Sequence, residues 1–286
     1  MTAPYFQQKA MFERHQVAVF SSNYALYGDM SHRVMSLLEE MAPAVDIYSI
    51  DEAFLNLQGV SHCMSLEAFG HQVRQRVEKE AHLSVGVGIA PTMTLAKLAN
   101  YATKKWPQLE GVLDLSSMAR QRKLLAKAPV EEVWGVGRRI SKKLQVMGIE
   151  SALQLADSAP SFIRKNFSVV LERTARELRG EPCLSFAELP SAKQQILCSR
   201  SFSSRISDYT SLREAVCAYA GRAAEKLRGE QQFCRQVGVF IRTSPHAADE
   251  TFYARQAQGF MAIPSQDTRD IIRVAIDCLD RIWEEG

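Results

Sequence analysis

Several features that define other classes of protein are missing from this 286-residue sequence. No apolar run approaches the roughly 18 residues of a membrane-spanning helix. The first residues, MTAPYFQQKAMFERHQ, lack the basic and then apolar layout of a secretory signal. The six cysteines form no CxxC pair and have no histidine at the spacing of a zinc site. We therefore expect a soluble, cytoplasmic protein with reduced thiols and no membrane partner.

The overall composition is that of a globular protein. Hydrophobic residues make up 46% and charged residues 23% of the chain, which excludes a disordered or fibrous protein. The net charge is only +3, but it is unevenly distributed. Residues 119–180 hold 13 basic and 6 acidic residues, a net charge of +7, whereas residues 1–118 carry −3 and residues 181–286 carry −1. A concentrated basic segment of this kind often binds phosphate.

The hydrophobic pattern predicts an α+β protein with several domains. The first part alternates helices and short strands, which suggests helices over one face of a sheet. The predicted elements are a helix over 23–42, two short strands joined by a tight turn within 45–59, a helix over 64–80, a strand over 83–90 and a helix over about 92–104. Residues 119–180 are typical of several short helices, and 196–286 of a strand–helix–strand–strand–helix series. That series is one strand short of the ferredoxin-like unit.

Two adjacent carboxylates interrupt the strand pattern at Asp51-Glu52, within YSIDEAF. At a turn both side chains can face one side, and close carboxylates need a neutralising cation. Mg²⁺ prefers oxygen ligands and substrate phosphates, and two-metal phosphoryl transfer uses such pairs. Taken alone, an Asp-Glu pair in a turn is usually a solvated surface pair.

The segment VGVGIAPTMTLAKLANYATKK, residues 85–105, contains Gly86 and Gly88 before a predicted helix. Pro91 stands where a dinucleotide-binding motif has its third glycine, so we expect the glycines to serve close helix–strand packing. Lys97 and Lys104 lie seven residues apart on one helix face. They form either a solvated basic face or a contact to a triphosphate.

The segment 130–157 is typical of a helix, a Gly-x-Gly hairpin and a second helix. Gly135 and Gly137 permit a tight turn that exposes backbone N–H groups at the start of a helix, an arrangement that binds anions. Four cations crowd that helix start, where they oppose the helix dipole. They are Arg138, Arg139, Lys142 and Lys143. We interpret the segment as a helix-hairpin-helix that binds a DNA backbone without reading bases, the alternative being an ordinary helical turn.

A predicted strand over residues 196–206 carries Arg200 and Arg205 among serines. These side chains either line a phosphate backbone or protect an edge strand by their charge.

Together these motifs resemble the Y-family translesion DNA polymerases, most closely the UmuC branch. The resemblance covers essentially the whole chain. It is carried by SSNYALYGDMSHRVM (21–35), YSIDEAF (48–54), VGVGIAPTMTLAKLANYATKKW (85–106), VWGVGRRISKKLQVMGI (133–149), LERTARELRGEPC (171–183) and CSRSF (198–202).

The resemblance implies a domain organisation for the chain. Residues 1–22 correspond to a remnant of the fingers, 23–118 to the palm without its first strand and 119–183 to the all-helical thumb. A linker over 184–196 then leads to an incomplete little finger over 197–286.

The resemblance also implies roles and partners. Asp51 and Glu52 correspond to catalytic ligands of two Mg²⁺ ions, and Lys104 to the lysine that contacts the incoming triphosphate. The implied activity is error-prone, template-directed nucleotidyl transfer past damaged bases in SOS mutagenesis and DNA repair. The implied partners are primer-template DNA, dNTPs, a UmuD-like accessory protein, the RecA filament and a sliding clamp.

The sequence departs from this family at both ends. The family's palm opens with an aspartate followed by aromatics, of the form DxNxFYAS, but the first aspartate here is Asp29. The last little-finger strand and the clamp-binding tail are also missing. We therefore expect a truncated polymerase core of marginal stability and little or no primer extension. Robust Mg²⁺-dependent incorporation that Asp51→Ala abolishes would contradict this expectation.

Two other interpretations remain open. The chain is alternatively a non-catalytic, sequence-independent DNA-binding remnant that uses the thumb. It is otherwise the product of a disrupted gene or of a misassigned start, which the upstream reading frame would decide. A nucleotide cyclase would leave the helix-hairpin-helix and the little finger unexplained.

Overall fold

The computed structural model describes residues 5–185, 193–202, 204–244 and 251–284. The chain divides into two compact units, Met1–Glu188 and Leu189–Gly286. The division falls in the segment 184–196 that the sequence assigns to a linker, of which residues 186–192 lie outside the described residues.

The first unit alternates helices and short strands as far as residue 114 and is helical after that. Its helices are α1 (Tyr5–Arg14), α2 (Tyr24–Glu39), α3 (Leu66–Ala81), α4 (Met93–Lys105), α5 (Met118–Lys127), α6 (Arg138–Val146), α7 (Ala152–Asp157), α8 (Pro160–Asn166) and α9 (Val169–Glu177). Its strands are β1 (Ala44–Ile47), β2 (Ala53–Asn56), β3 (Val87–Ile89) and β4 (Val112–Asp114). The helices predicted over 23–42, 64–80 and 92–104 are confirmed as α2, α3 and α4.

Polar side chains fix where these three helices begin. Asn23 accepts a hydrogen bond from the amide of Leu26 at 3.1 Å, and Ser65 accepts one from Ala68 at 3.2 Å. Thr92 does the same for α4. Each bond satisfies an amide that has no partner within its own helix, so the sequence itself specifies the start of the helix.

The strands of the first unit form two separate pairs. Strands β1 and β2 are antiparallel, with Ile47 opposite Ala53, so residues 48–52 form the predicted turn. Strands β3 and β4 are parallel. The strand predicted over 83–90 is shorter than expected, because side chains take its first carbonyl groups. Arg74 donates to the Val85 carbonyl, and Asn100 donates to that of Gly86 at 2.7 Å.

Gly88 confirms the packing role expected of the glycines before α4. A Cβ atom at this position would collide with the backbone of Ala96 and Asn100. The missing side chain therefore lets α4 lie directly against β3.

Two hydrophobic cores hold the first unit together. One packs Met35 of α2 and Val77 of α3 against partly buried residues of β1 and β2. The other joins Leu98 of α4 to the helices α5 to α9, where Leu144 and Ile163 are fully buried. Helix α4 thus shares a core with the basic helical segment that follows it.

A buried carboxylate secures that junction. Glu177, which is 1% exposed, ends α9 and faces the first turn of α4. Its Oε2 accepts from the Thr94 amide at 2.9 Å and from the Thr94 hydroxyl at 2.7 Å, and its Oε1 accepts from the amides of Cys183 and Leu184 at 3.0 Å. A negative charge at a helix N-terminus is stabilised by the helix dipole.

The second unit packs two helices on a β-hairpin. Helices α10 (Tyr209–Gly229) and α11 (Thr268–Asp280) cover one face of the antiparallel strands β5 (Cys234–Arg242) and β6 (Ala254–Ser265). Ala224 and Leu279 are fully buried between the helices and the sheet.

The strand predicted over 196–206 is wrong for the part of that segment that the structure describes. A strand persists only where its backbone groups meet a neighbouring strand, and the described strands β5 and β6 pair only with each other. The apolar residues at its two ends, Ile196 and Ile206, pack against the core of α10 and α11 without strand geometry.

Candidate active site and nucleic-acid interface

The turn between β1 and β2 holds the two predicted catalytic carboxylates, and we call β1, β2 and this turn the acidic hairpin. The amides of Tyr48 and Ser49 both donate to the Glu52 carbonyl at 3.0 Å. The Ser49 hydroxyl donates to Asp51 Oδ1 at 2.6 Å. Asp51 is exposed and Glu52 is half-buried, so the turn presents both groups to solvent.

Lys97 projects from α4 to the acidic hairpin. Its Nζ lies 2.9 Å from Glu52 Oε2, and its side chain is only 20% exposed. The same ammonium group lies 4.4 Å from the ring centroid of Tyr48 and 5.1 Å from that of Trp134. An ammonium held over aromatic faces beside a carboxylate is stabilised by both.

The acidic hairpin fits a divalent cation that also takes ligands from a bound phosphate. Ser49 and Lys97 each take one carboxylate oxygen, which leaves the other oxygens of Asp51 and Glu52 without a hydrogen bond in the described part of the chain. No group of three or more His, Cys, Asp or Glu able to hold a metal occurs among the described residues. Mg²⁺ needs only one or two carboxylates when phosphates and water complete its shell.

The predicted anion-binding turn opens α6, and we call residues 135–143 the basic turn. Gly135 has φ +88°, a left-handed conformation that favours glycine. Gly137 is the N-cap of α6 and makes no side-chain capping bond, and the first turn of the helix contains no acidic residue. The helix start therefore has the free amides and positive dipole end that bind a phosphate.

The element before the basic turn differs from the expected helix. It is a three-residue 3-10 helix, Val130–Glu132. Helix α5 ends at Lys127 because Pro129 forces the preceding Ala128 into an extended conformation, with φ −83° and ψ 121°. The hairpin motif here is thus a short helical turn followed by α6.

The four cations of the basic turn fall into two groups. Arg138, Arg139 and Lys142 are exposed, and none of them forms a salt bridge with another described residue. Lys143 instead donates to the Asn166 carbonyl at the end of α8 and lies 4.6 Å from the Phe167 ring centroid. The first three are therefore open to a ligand, whereas Lys143 also joins α6 to α8.

Comparison with known proteins identifies the family. The profile described as "impB/mucB/samB family" matches residues 1–101, and that of its C-terminal domain matches residues 193–286. "Protein UmuC" of Salmonella typhimurium is 59% identical over 284 residues, which cover 99% of this chain and 67% of the relative. The chain belongs to this family. It is a member of the UmuC branch of the Y-family polymerases.

Other relatives agree with this membership. "Protein MucB" of Escherichia coli is 51% identical over 285 residues, 100% of this chain and 68% of the relative. Among solved structures, a Y-family DNA polymerase chimera of Dbh and Dpo4 has a TM-score of 0.67 at 19% identity and covers 96% of this chain and 77% of its own. An insertion ternary complex of Dbh DNA polymerase has a TM-score of 0.55 at 17% identity, with the same coverage. These structures confirm the expected fold class.

The remaining predicted site residues belong to other elements. Lys104 is exposed in the last turn of α4, about 10 Å along the helix from Lys97. Arg200 and Arg205 are exposed in the second unit. The assigned roles of all three stay predictions.

Sequence reasoning missed the residues that connect the motifs. It noted Lys97 by its spacing but did not predict the pair with Glu52, and it gave no role to Tyr48 or Trp134. The available signal was the position of both aromatics inside the motifs, in YSIDEAF and VWGVG.

No described helix is long and apolar enough to cross a membrane.

Proposed function

We propose that this chain is the core of a UmuC-like, error-prone translesion DNA polymerase, whose reaction is template-directed nucleotide transfer. The observation that carries the proposal is the acidic hairpin, where Asp51, Glu52 and Lys97 converge in a member of the UmuC branch. The comparisons do not favour a purely DNA-binding remnant.

The residues of the chain take distinct parts in this proposal. Asp51 and Glu52 hold divalent cations, which we assign as Mg²⁺ because the donors are carboxylate oxygens. When bound, such ions favour ionisation of the primer 3′-hydroxyl and neutralise charge on the triphosphate. Lys97 orients the Glu52 carboxylate, and Lys104 contacts the triphosphate.

The DNA contacts of the proposal come from the thumb and the little finger. The amides of the basic turn and the cations Arg138, Arg139 and Lys142 bind backbone phosphates. Arg200 and Arg205 extend these contacts in the second unit. The fold shared with Y-family polymerases solved in ternary complexes supports a DNA and dNTP substrate. A UmuD-like protein, the RecA filament and a sliding clamp are proposed partners, and the cytoplasm is the proposed compartment.

The test measures cation-dependent retention of dNTP on the complex of this chain with primer-template DNA, with Mn²⁺ as a paramagnetic probe. We expect retention of the complementary dNTP, and its loss in Asp51→Ala but not in Asp46→Ala, a control on β1 of the same hairpin. DNA binding without any Mn²⁺-dependent dNTP retention would overturn the proposal in favour of the DNA-binding alternative. The low primer extension expected from the sequence stays a prediction.

A further inference from the structure

Three aromatic rings join the acidic hairpin to the segment just before the basic turn. The Trp134 indole Nε1–H donates to the Tyr48 hydroxyl at 3.2 Å, although the two residues are 86 positions apart. Their ring centroids are 5.3 Å apart at an interplanar angle of 86°. Phe54 of β2 completes the cluster, 5.8 Å from Trp134 and 6.0 Å from Tyr48.

This cluster is not an ordinary piece of core. Tyr48 is 48% exposed, and Trp134 is half-buried. Lys97 places its ammonium group over the rings of Tyr48 and Trp134 while it binds Glu52. The cluster therefore contains a cation and a directional hydrogen bond at the surface. Packing alone requires neither, because a purely apolar contact would suffice for it.

Trp134 immediately precedes Gly135, the left-handed residue that begins the basic turn. A glycine at φ +88° has no side chain to pack, and Gly137 likewise makes no side-chain bond. Val133 and Val136 on either side are buried in the core around α4, and the Trp134 indole connects the start of the basic turn to the acidic hairpin.

We propose that Trp134 is a positioning residue that fixes the basic turn for DNA-backbone binding by anchoring it to Tyr48 of the acidic hairpin. This contact holds the acidic hairpin and the basic turn in a fixed position relative to each other. Lys97 lies between them, where it binds Glu52 and contacts the rings of Tyr48 and Trp134. The inference rests on the DNA-binding part of the proposed function.

The hydrogen bond can be removed from either side without a change of charge. Tyr48→Phe and Trp134→Phe each delete it and keep an aromatic ring. We expect each variant to raise the Kd for a fluorescein-labelled primer-template duplex by about two- to twelvefold, the range expected for loss of one hydrogen bond. The double variant should bind no more weakly than the singles, because both delete the same bond. The anisotropy titrations contain no divalent cation.

A role in positioning is separated from a general loss of stability by two further measurements. The dependence of log Kd on log salt concentration should keep its slope in Tyr48→Phe, because the number of phosphate contacts is unchanged. With Trp106→Phe and Trp283→Phe in the background, Trp134 is the sole tryptophan, and its emission should change on Tyr48→Phe. Tyr101→Phe is the matched control, a half-buried tyrosine of α4 outside the cluster, and should leave both readouts unchanged.

Arg139→Ala serves as the positive control for the basic turn. If it weakens DNA binding while Tyr48→Phe and Trp134→Phe leave the Kd unchanged, the positioning role is overturned and the proposed function stands. Additive effects in the double variant would also overturn it. If none of the three variants changes the Kd, the basic turn is not the DNA site and the inference falls with that assignment. Because the titrations need no cation, they do not depend on the dNTP-retention test of the polymerase activity.

Discussion

The acidic hairpin and the basic turn treat charge in opposite ways. At the hairpin, Lys97 binds Glu52 at 2.9 Å and the Ser49 hydroxyl binds Asp51 at 2.6 Å, so protein groups partly neutralise the carboxylates. At the basic turn, Arg138, Arg139 and Lys142 have no acidic partner among the described residues, and they stand at the positive end of α6. One turn is held in a set geometry, and the other carries uncompensated charge.

The difference follows from what each turn is proposed to bind. A cation site needs carboxylates at fixed positions, and hydrogen bonds and an ion pair restrict their rotamers. A phosphate backbone needs accessible cations, and internal partners would compete with it. The unpaired cations of the basic turn lower the stability of the free chain. They are concentrated where a bound phosphate would neutralise them.

The strongest test of this comparison is removal of the unpaired cations. We expect Arg138→Ala/Arg139→Ala/Lys142→Ala to weaken binding to primer-template DNA more than tenfold and to reduce the salt slope by about 2.7, at about 0.9 for each lost phosphate contact. Fluorescence anisotropy over a range of salt concentrations measures both. Lys143→Ala, from the same turn, should change the slope less, because Lys143 already bonds to the Asn166 carbonyl. An unchanged slope in the triple variant would remove the basic turn from the interface.

A buried carboxylate offers a contrast within the same unit. Glu177→Ala leaves three amides and the Thr94 hydroxyl without their acceptor, and it should lower the free energy of unfolding by about 3 kcal/mol. Urea titration followed by circular dichroism measures this loss. Glu181→Ala, an exposed glutamate that pairs with Arg176, is the matched control and should cost under about 1 kcal/mol. Equal losses would show that the buried network contributes nothing specific.

The ion pair of the acidic hairpin predicts a smaller and oppositely directed effect. Lys97→Met removes a positive charge beside Glu52 and should tighten Mn²⁺ binding to the chain about fivefold, because a like charge nearby costs about 1 kcal/mol in water-like surroundings. Lys97→Arg keeps the charge and should bind Mn²⁺ as the unchanged chain does. Mn²⁺ titration followed by paramagnetic resonance measures the affinities. Weaker binding in Lys97→Met would contradict this expectation and would mean that the lost ordering of Glu52 outweighs the removed repulsion.

The smallest expected effect concerns a paired charge that only supports the fold. Arg122 of α5 binds Asp157 of α7 through two bonds of 3.0 and 2.9 Å, and this lowers the pKa of the Asp157 carboxyl. A lowered folded-state pKa adds stability above the ordinary pKa of aspartate, and this stability is lost as the pH falls through the lower folded value. The pair is about half exposed, so its contribution should stay under about 1 kcal/mol.

The pH dependence of unfolding tests that pair. Arg122→Ala should make the stability of the first unit less dependent on pH in the acidic range where Asp157 titrates, and it should leave DNA binding unchanged. Arg120→Ala is the control, since Arg120 lies 3.8 Å from Glu67 in a looser exposed pair. A pH profile that is the same in both variants would contradict the assignment.

Local signals were sufficient for α2, α3, α4 and the acidic hairpin. The polar caps at Asn23, Ser65 and Thr92 act within four residues, so they can be read directly from the sequence. The failed strand over 196–206 shows the opposite case. Its composition is compatible with a strand, but a strand also needs a neighbour, and the neighbour is decided by the rest of the chain.

The sequence by itself determined the family, the Asp51-Glu52 turn and the concentration of positive charge in residues 119–180, because these depend on residue type and short-range spacing. The tertiary structure alone decided that Lys97 pairs with Glu52 and that Trp134 bonds to Tyr48. Those contacts join positions 45 and 86 residues apart, and they arise only when α4 packs on β3 and the helical segment closes its core around α4. Long-range contacts of this kind carry no periodic signal, so only the folded chain reveals them.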